Sequence, residues 1–313
     1  SHALDQGRVA GIEFDTAVFT NLTQDHLDYH KTMENYARAK ARLFDLVSEA
    51  GTKTGKTAVL NADDAASATM RAHTNCPIIS YGVENSGELT AQDADLAQDG
   101  MELTLVHDGT EFSRLHIGIT GLFNVYNVLA ATGAALAEKV PAEDIVAALE
   151  AFTGVPGRFE LVREGQDFSV IVDYAHTPDG MENVLRTARA VTRGRIIAVF
   201  GCGGDRDRTK RPIMGRIGAE RADIVVLTSD NPRTEDPAAI LDEVETGVLP
   251  VIGEKPYEKL VDRRTAIFHA VQTAHAGDTV VILGKGHENY QILKDGTIHF
   301  DDRETAREAI RGL

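Results

Sequence analysis

Four short apolar runs in the second half of the chain, Ser169–Val172, Ile196–Phe200, Ile224–Thr228 and Thr279–Leu283, read as buried strands. Segments of helical spacing separate them, over Met181–Val191, Pro212–Arg221, Ala238–Val248 and Arg263–Ala274. Strands alternating with helices predict an α/β fold whose mostly parallel sheet is covered on both faces. A hairpin over Tyr290–Phe300, turning at Asp295-Gly296, and a helix from near Asp302 complete this half.

The first half has a different rhythm. A short strand, Ala17–Asn21, leads into a polar loop, Thr23–His30, and then a helix over Met33–Val47. Tyr36, Ala39, Leu43, Phe44 and Val47 make its apolar stripe. Ala58–Leu60 and Ile78–Tyr81 are further strands. Leu89–Ala91, Met101–Val106 and Glu111–Ile117 alternate in polarity, with turns at Asp99-Gly100 and Asp108-Gly109, and predict an antiparallel meander. An Ala-rich helix follows over Leu122–Leu136. Another spans Pro141–Phe152, with Pro141, Glu143 and Asp144 at its start. Gly154-Val155-Pro156-Gly157 breaks the pattern, which sets two domains at 1–154 and 155–313.

A length of 313 residues agrees with two domains, and 42% apolar residues can fill both cores. The net charge of −16 argues against nucleic acid or an anionic membrane as partner, because each needs a basic face. Solubility alone accounts for such a charge. The two cysteines, Cys76 and Cys202, have no metal spacing and fit a reducing cytoplasm. No run approaches the roughly 18–20 apolar residues of a membrane span, and no signal peptide is expected. The chain opens at Ser1 without a methionine, so it is expected to be a piece of something longer.

Chemistry concentrates at strand ends. Gly201, Gly203 and Gly204 follow a strand and let the backbone turn sharply and approach a ligand. Asp205, Arg206, Asp207, Arg208, Lys210 and Arg211 crowd the next positions, and the following strand opens onto Asp230-Asn231-Pro232-Arg233. Ligands of open α/β sheets bind beyond the carboxyl ends of the strands. Arginines on neighbouring loops can grip a carboxylate through paired donors, which lysine cannot imitate. A small, doubly charged, carboxylate-bearing ligand is therefore expected there. Asp173-Tyr174-Ala175-His176-Thr177-Pro178 reads equally as a nucleotide contact or a helix-capping turn. Gly284-Lys285-Gly286-His287-Glu288 reads as a ligand loop or simply a polar one, and Asn124 and Asn127 as contacts or as packing groups. Lys40, in mid-helix, reads on spacing alone as a solvated lysine.

Two look-alikes are set aside. Gly51–Thr57 imitates a phosphate-binding loop, but it has three residues rather than four between its glycines and stands after a helix. Gly201–Arg206 lacks the third glycine of a dinucleotide fingerprint, which removes an NAD-dependent oxidoreductase.

Several ordered motifs coincide with one family. They are Ser1-His2-Ala3-Leu4, the stretch Thr20–His30, Tyr36–Lys40, Gly121–Asn127, Gly157–Glu160, Asp173–Pro178, Gly203–Pro212, Asp230–Pro237 and Gly284–Glu288. With these the chain resembles the Mur ligases, most closely the MurE type, over essentially its whole length. The resemblance implies the latter part of the central ATPase domain followed by a Rossmann-like C-terminal domain. It also implies ATP-driven amide formation in peptidoglycan-precursor synthesis, in the cytoplasm. ATP would phosphorylate the D-glutamate γ-carboxylate of UDP-MurNAc-L-Ala-D-Glu, and an amino acid's amine would attack the acyl phosphate. Magnesium would screen the anions.

By the same resemblance Lys40 is carbamylated and, with His26, holds a magnesium ion. Gln6 and Arg8 match contacts to the UDP-MurNAc dipeptide. Asn127, Arg158 and Asp173 match nucleotide contacts, with His176 at the border of that site. Arg206, Asp230, Asn231, Pro232, Arg233, Gly284 and Glu288 match the amino-acid pocket. A distal carboxylate needs a cationic partner there, since burying it unpaired is prohibitive. Arg233 supplies one and Glu288 can receive a distal ammonium, so the expected substrate is meso-diaminopimelate rather than L-lysine. The family's N-terminal domain and P-loop have no counterpart in these 313 residues, which alone are expected to turn over no ATP. That departure keeps a second class open, a non-catalytic amino-acid-binding module.

Overall fold

Every residue of the strand Ile196–Phe200 is buried, and its side chains alternate between two cores. Ile196, Ala198 and Phe200 join one cluster with Met181, Leu185 and Leu241, while Ile197 and Val199 join another with Ile267, Val271 and Ile310. That is why the strand reads as one continuous apolar run: a sheet with helices on both faces leaves no wet side. Thr279–Leu283 behaves the same way.

The computed structural model describes residues 1–23, 27–49, 51–84, 87–97 and 100–313. They divide into two units, one of Ser1–Leu96, Gly100–Gly118 and Leu122–Phe152, the other chiefly Thr153–Leu313. The second unit carries a six-stranded sheet in the order Tyr257–Lys259, Ile224–Leu227, Ile196–Phe200, Thr279–Leu283, Ser169–Asp173, Glu160–Leu161. The first five strands run parallel, and Glu160–Leu161 is antiparallel at the edge. Helices start on side-chain caps: Thr177 accepts from Gly180 N, Asp236 from Ala238 N, Asp262 from Thr265 N and Asp301 from Arg303 N.

The first unit has its own six-stranded sheet, ordered Thr16–Phe19, Thr57–Asn61, Ile78–Gly82, Leu89–Ala97, Gly100–His107, Thr110–Ile117. The first four strands pair in parallel and the last two antiparallel. Asp108 and Gly109 both take positive φ, +48° and +72°, the hairpin geometry their sequence promised. Asp99, in the other turn expected here, lies outside the described residues. Helix Met33–Ser48 buries Tyr36, Ala39, Phe44 and Val47 on one side.

Several boundaries differ from expectation. Leu27–His30, expected as loop, is a helical turn. Pro141 precedes rather than begins the helix Ala142–Ala151. Gly296 opens a strand, so the hairpin turns one residue earlier. Helix Ser67–Ala72 and strands Glu160–Leu161 and Tyr257–Lys259 are too short for periodicity to register. Among the described residues no helix is long and apolar enough to cross a membrane.

Candidate functional site

Three loops leave the carboxyl ends of neighbouring parallel strands in the second unit, over 201–209, 228–236 and 284–289. The first two are interlocked. Gly204 N donates to the Asn231 carbonyl at 2.9 Å, the Thr234 hydroxyl to Asp205 Oδ1 at 2.7 Å, and Asp205 N to Glu235 Oε1 at 2.6 Å. Beneath them Arg211 is wholly buried. Its Nη1 and Nη2 donate to the two Glu235 oxygens at 2.9 and 2.8 Å, Nη1 also to Glu243 at 2.9 Å, and Nη2 to the Gly203 carbonyl at 3.2 Å. Arg211 thus belongs to the scaffold, whereas the sequence shows it only as one charge in a crowd.

The glycines also serve the scaffold. A Cβ on Gly201 would stand 1.8 Å from the Thr228 carbonyl oxygen, and one on Gly204 1.9 Å from that of Pro232. Their lack of a Cβ lets one loop approach the next, a role that the expectation for Gly201 and Gly204 did not include. Gly204→Ala should therefore force the loops apart and cost about 1–3 kcal/mol. A urea titration with an unshifted midpoint would contradict this.

Asp230, Asn231, Pro232 and Gly284 are buried, and Glu288 and Arg233 are partly so. Asn231 is the hub: Nδ2 donates to Glu288 Oε2 at 2.9 Å, while Oδ1 accepts from Ile292 N at 2.9 Å and from Lys285 Nζ at 3.3 Å. Lys285, fully buried, also donates to Glu288 Oε2 at 3.2 Å and lies over the Tyr290 ring. Arg233 holds a left-handed φ of +53°, a strained conformation for a residue with a side chain. Its Nη1 donates to the carbonyls of Gly204 at 2.8 Å and Asn231 at 3.3 Å. Nε and Nη2, the edge that makes paired bonds to a carboxylate, donate to none of the described residues. Arg206 is exposed, and Nη1 donates to its neighbour's carbonyl, Asp205 O, at 3.0 Å. The sequence therefore has all seven of its expected pocket residues, Pro232 among them, on these three loops. It passes over Lys285, whose burial no local pattern reveals. Cys202, at the root of the first loop, is no nucleophile, since burial pushes its thiol up to about 12.

A second cluster adjoins the strand Ser169–Asp173. Asp173 accepts from Phe159 N and Ala175 N, both at 2.7 Å. Burial raises its pKa against the opposing pull of those N–H groups and of Arg158. The exposed Arg158 guanidinium lies 5.0 Å from the Tyr174 ring centroid, and the rings of His176 and His287 sit 4.7 and 5.3 Å from it. Flat, cationic and aromatic surfaces of this kind suit a heterocyclic base. Thr177 meanwhile caps the next helix, so the turn is a cap as well.

In the first unit Lys40 is half-buried rather than solvated: Nζ donates to the Asn21 carbonyl at 2.8 Å and lies 5.0 Å from the Tyr36 ring centroid. His26 lies outside the described residues. Gln6 and Arg8 are exposed just beyond the short helix His2–Asp5. Asn127, also exposed, donates to Asn124 Oδ1 at 3.1 Å.

Comparison with known proteins agrees across both units. Residues 1–135 match the Mur ligase middle domain, and residues 157–286 match the Mur ligase glutamate ligase domain. A UDP-N-acetylmuramoyl-L-alanyl-D-glutamate–2,6-diaminopimelate ligase of Bacillus cereus is 50% identical over 315 residues, covering 100% of this chain and 63% of its own length. Its namesake in Syntrophomonas wolfei is 49% identical over 312 residues, with the same coverage. A solved structure of a protein of that name superposes with a TM-score of 0.72 at 38% identity, covering 99% of this chain and 63% of that one. A MurF ligase of Thermotoga maritima, solved in complex with ADP, shares the fold at a TM-score of 0.65 and 16% identity, over 95% of this chain and 62% of that one. The chain thus spans about 63% of the length of the curated relatives it matches.

Proposed function

The chain belongs to the Mur ligase family, and from that premise we propose that it serves an ATP-dependent ligase joining meso-diaminopimelate to UDP-MurNAc-L-Ala-D-Glu. The observation that carries the substrate choice is Arg233, pinned through Nη1 with Nε and Nη2 left to bond. A guanidinium edge so held fits a distal carboxylate bidentately, and L-lysine has none. Glu288 on the facing loop receives the distal ammonium, with Asn231 fixing its carboxylate. Asp230, Pro232, Gly284 and Arg206 complete this pocket.

The reaction needs activation because a carboxylate is a poor electrophile at neutral pH. Phosphorylation by ATP gives the D-glutamate carboxyl a leaving group, and the amine of diaminopimelate displaces it, releasing phosphate and forming the amide. Arg158, Asp173, His176 and Asn127 are assigned to the nucleotide, and Gln6 and Arg8 to the UDP-linked dipeptide. Lys40, as a carbamate, and His26 are assigned to magnesium, which supplies charge screening for phosphoryl transfer. A carbamate keeps one N–H on Nζ, which is compatible with the bond that the lysine makes to the Asn21 carbonyl. ATP and a nucleotide-linked precursor place the work in the cytoplasm.

The reading frame that contains these residues, expressed whole, should release ADP in step with a new amide only when both substrates accompany ATP. ADP release that ignores diaminopimelate would refute the proposal and favour a binding module.

A further inference from the structure

Arg263 and Asp302 are both wholly buried. They pair bidentately, Nε to Oδ1 at 2.8 Å and Nη2 to Oδ2 at 2.7 Å, joining the first turns of helices Arg263–Thr273 and Asp302–Arg311. Taking two charges out of water costs several kcal/mol per ion, and apolar residues of similar size often stabilise as well. Stability is therefore a weak reason for this pair. The remaining donors point elsewhere: Nη1 donates to the Ser229 carbonyl at 3.2 Å and Nη2 to that of Leu283 at 3.0 Å. Those residues immediately precede Asp230, near the start of the 228–236 loop, and Gly284, where the 284–289 loop begins. One rigid guanidinium plane thus spans the roots of both loops. The two loops meet again above it, where a Cβ on Gly284 would lie 2.5 Å from Asp230 Oδ2. Burial disfavours the charged guanidinium, but Asp302, and beyond it Asp230 and Glu288, outweigh that and hold its pKa above the usual value.

We propose that Arg263, neutralised by Asp302, is a positioning residue of the amino-acid pocket, fixing the gap between the 228–236 and 284–289 loops without touching substrate. The proposal rests on the functional reading above. Lysine at this position keeps the charge but has no planar fork with which to reach Asp302 and two carbonyls together. Loosening the gap moves Asp230, Asn231 and Glu288 relative to one another, whereas Arg263 makes no hydrogen bond to Arg158, Asp173 or His176, the residues assigned to the nucleotide in this unit.

The test uses the whole chain and calorimetric titration with meso-diaminopimelate and, separately, with ATP. Arg263→Lys should weaken diaminopimelate about tenfold or more, as the binding-competent spacing of the loops becomes a minor state, with ATP affinity within about twofold of the parent. Asp302→Asn, nearly isosteric, should do the same and guards against a lysine variant that fails to fold. Unchanged diaminopimelate affinity in a folded variant, or equal losses for both ligands, would overturn the proposal. Unfolding of both variants would assign the pair to stability and overturn it as well. The parent and Arg233→Ala separate the two levels. A parent that does not bind diaminopimelate sinks the functional reading. A parent that binds it, with Arg233→Ala weakened and Arg263→Lys unaffected, sinks only this inference.

Discussion

Arg233→Ala should weaken meso-diaminopimelate binding about 100-fold while leaving ATP affinity unchanged. The magnitude follows from the bond that is lost. A bidentate, charge-assisted pair in a partly buried site contributes about 3 kcal/mol, and each 1.4 kcal/mol is a factor of ten. Arg233→Lys should recover little, because an ammonium offers no parallel donors and would have to reach past the Gly204 carbonyl that now orients the side chain. The strained backbone at +53° adds a second handle. Arg233→Gly relieves that strain and should not destabilise the fold, yet it should bind as poorly as the alanine variant. Competition against a fluorescent diaminopimelate analogue reads all three. Full affinity in the alanine variant would remove the basis for the substrate assignment.

Arg211→Ala should cost about 3 kcal/mol of stability, read as a drop in urea midpoint at constant slope. Removing the guanidinium leaves Glu235 and Glu243 facing each other, and both remain only partly in water, with side-chain exposures of 23% and 28%. Those exposures keep the expected value at the lower end for a broken buried pair. The Arg211 Nε has no hydrogen-bond partner among the described residues, so part of the native cost of burial is already uncompensated. The same cluster predicts an acid limb. The bonds from Arg211, then from Asp205 N, hold the Glu235 carboxyl down at about 2 against an ordinary 4.5. A depressed carboxylate stabilises above its unfolded pKa and loses that contribution as pH falls through its folded one. Stability should decline between about pH 4.5 and pH 2, and the decline should be shallower in Arg211→Ala. Parallel acid limbs in parent and variant would show that the carboxylates are not coupled to this arginine.

The strands at Ile196–Phe200 and Thr279–Leu283 were legible to the residue, because a strand buried on both faces leaves an unbroken apolar run bounded by glycine. The grouping of the candidate pocket residues was legible for a different reason: they stand in short clusters at strand ends, where open sheets generally bind their ligands. What escaped were the buried cations. Arg211 finds Glu235 and Glu243 at separations of 24 and 32 residues, and Arg263 finds Asp302 at 39, distances across which no local pattern carries information. Lys285 looked like a loop charge and proves to be enclosed by Asn231, Glu288 and Tyr290. The glycines of the 201–209 loop misled in the opposite sense. Their spacing imitates a phosphate or ligand loop, but the backbone they admit is that of the neighbouring strand's own exit.

The role given to the pocket depends on charge matching at the far end of one amino acid. Calorimetric titration of the chain with meso-diaminopimelate and with L-lysine, at equal concentration and salt, measures it directly. A saturable isotherm is expected for meso-diaminopimelate, with affinity for L-lysine weaker by about 100-fold, the missing carboxylate's share. Equal affinity for the two, or tighter binding of L-lysine, would contradict it.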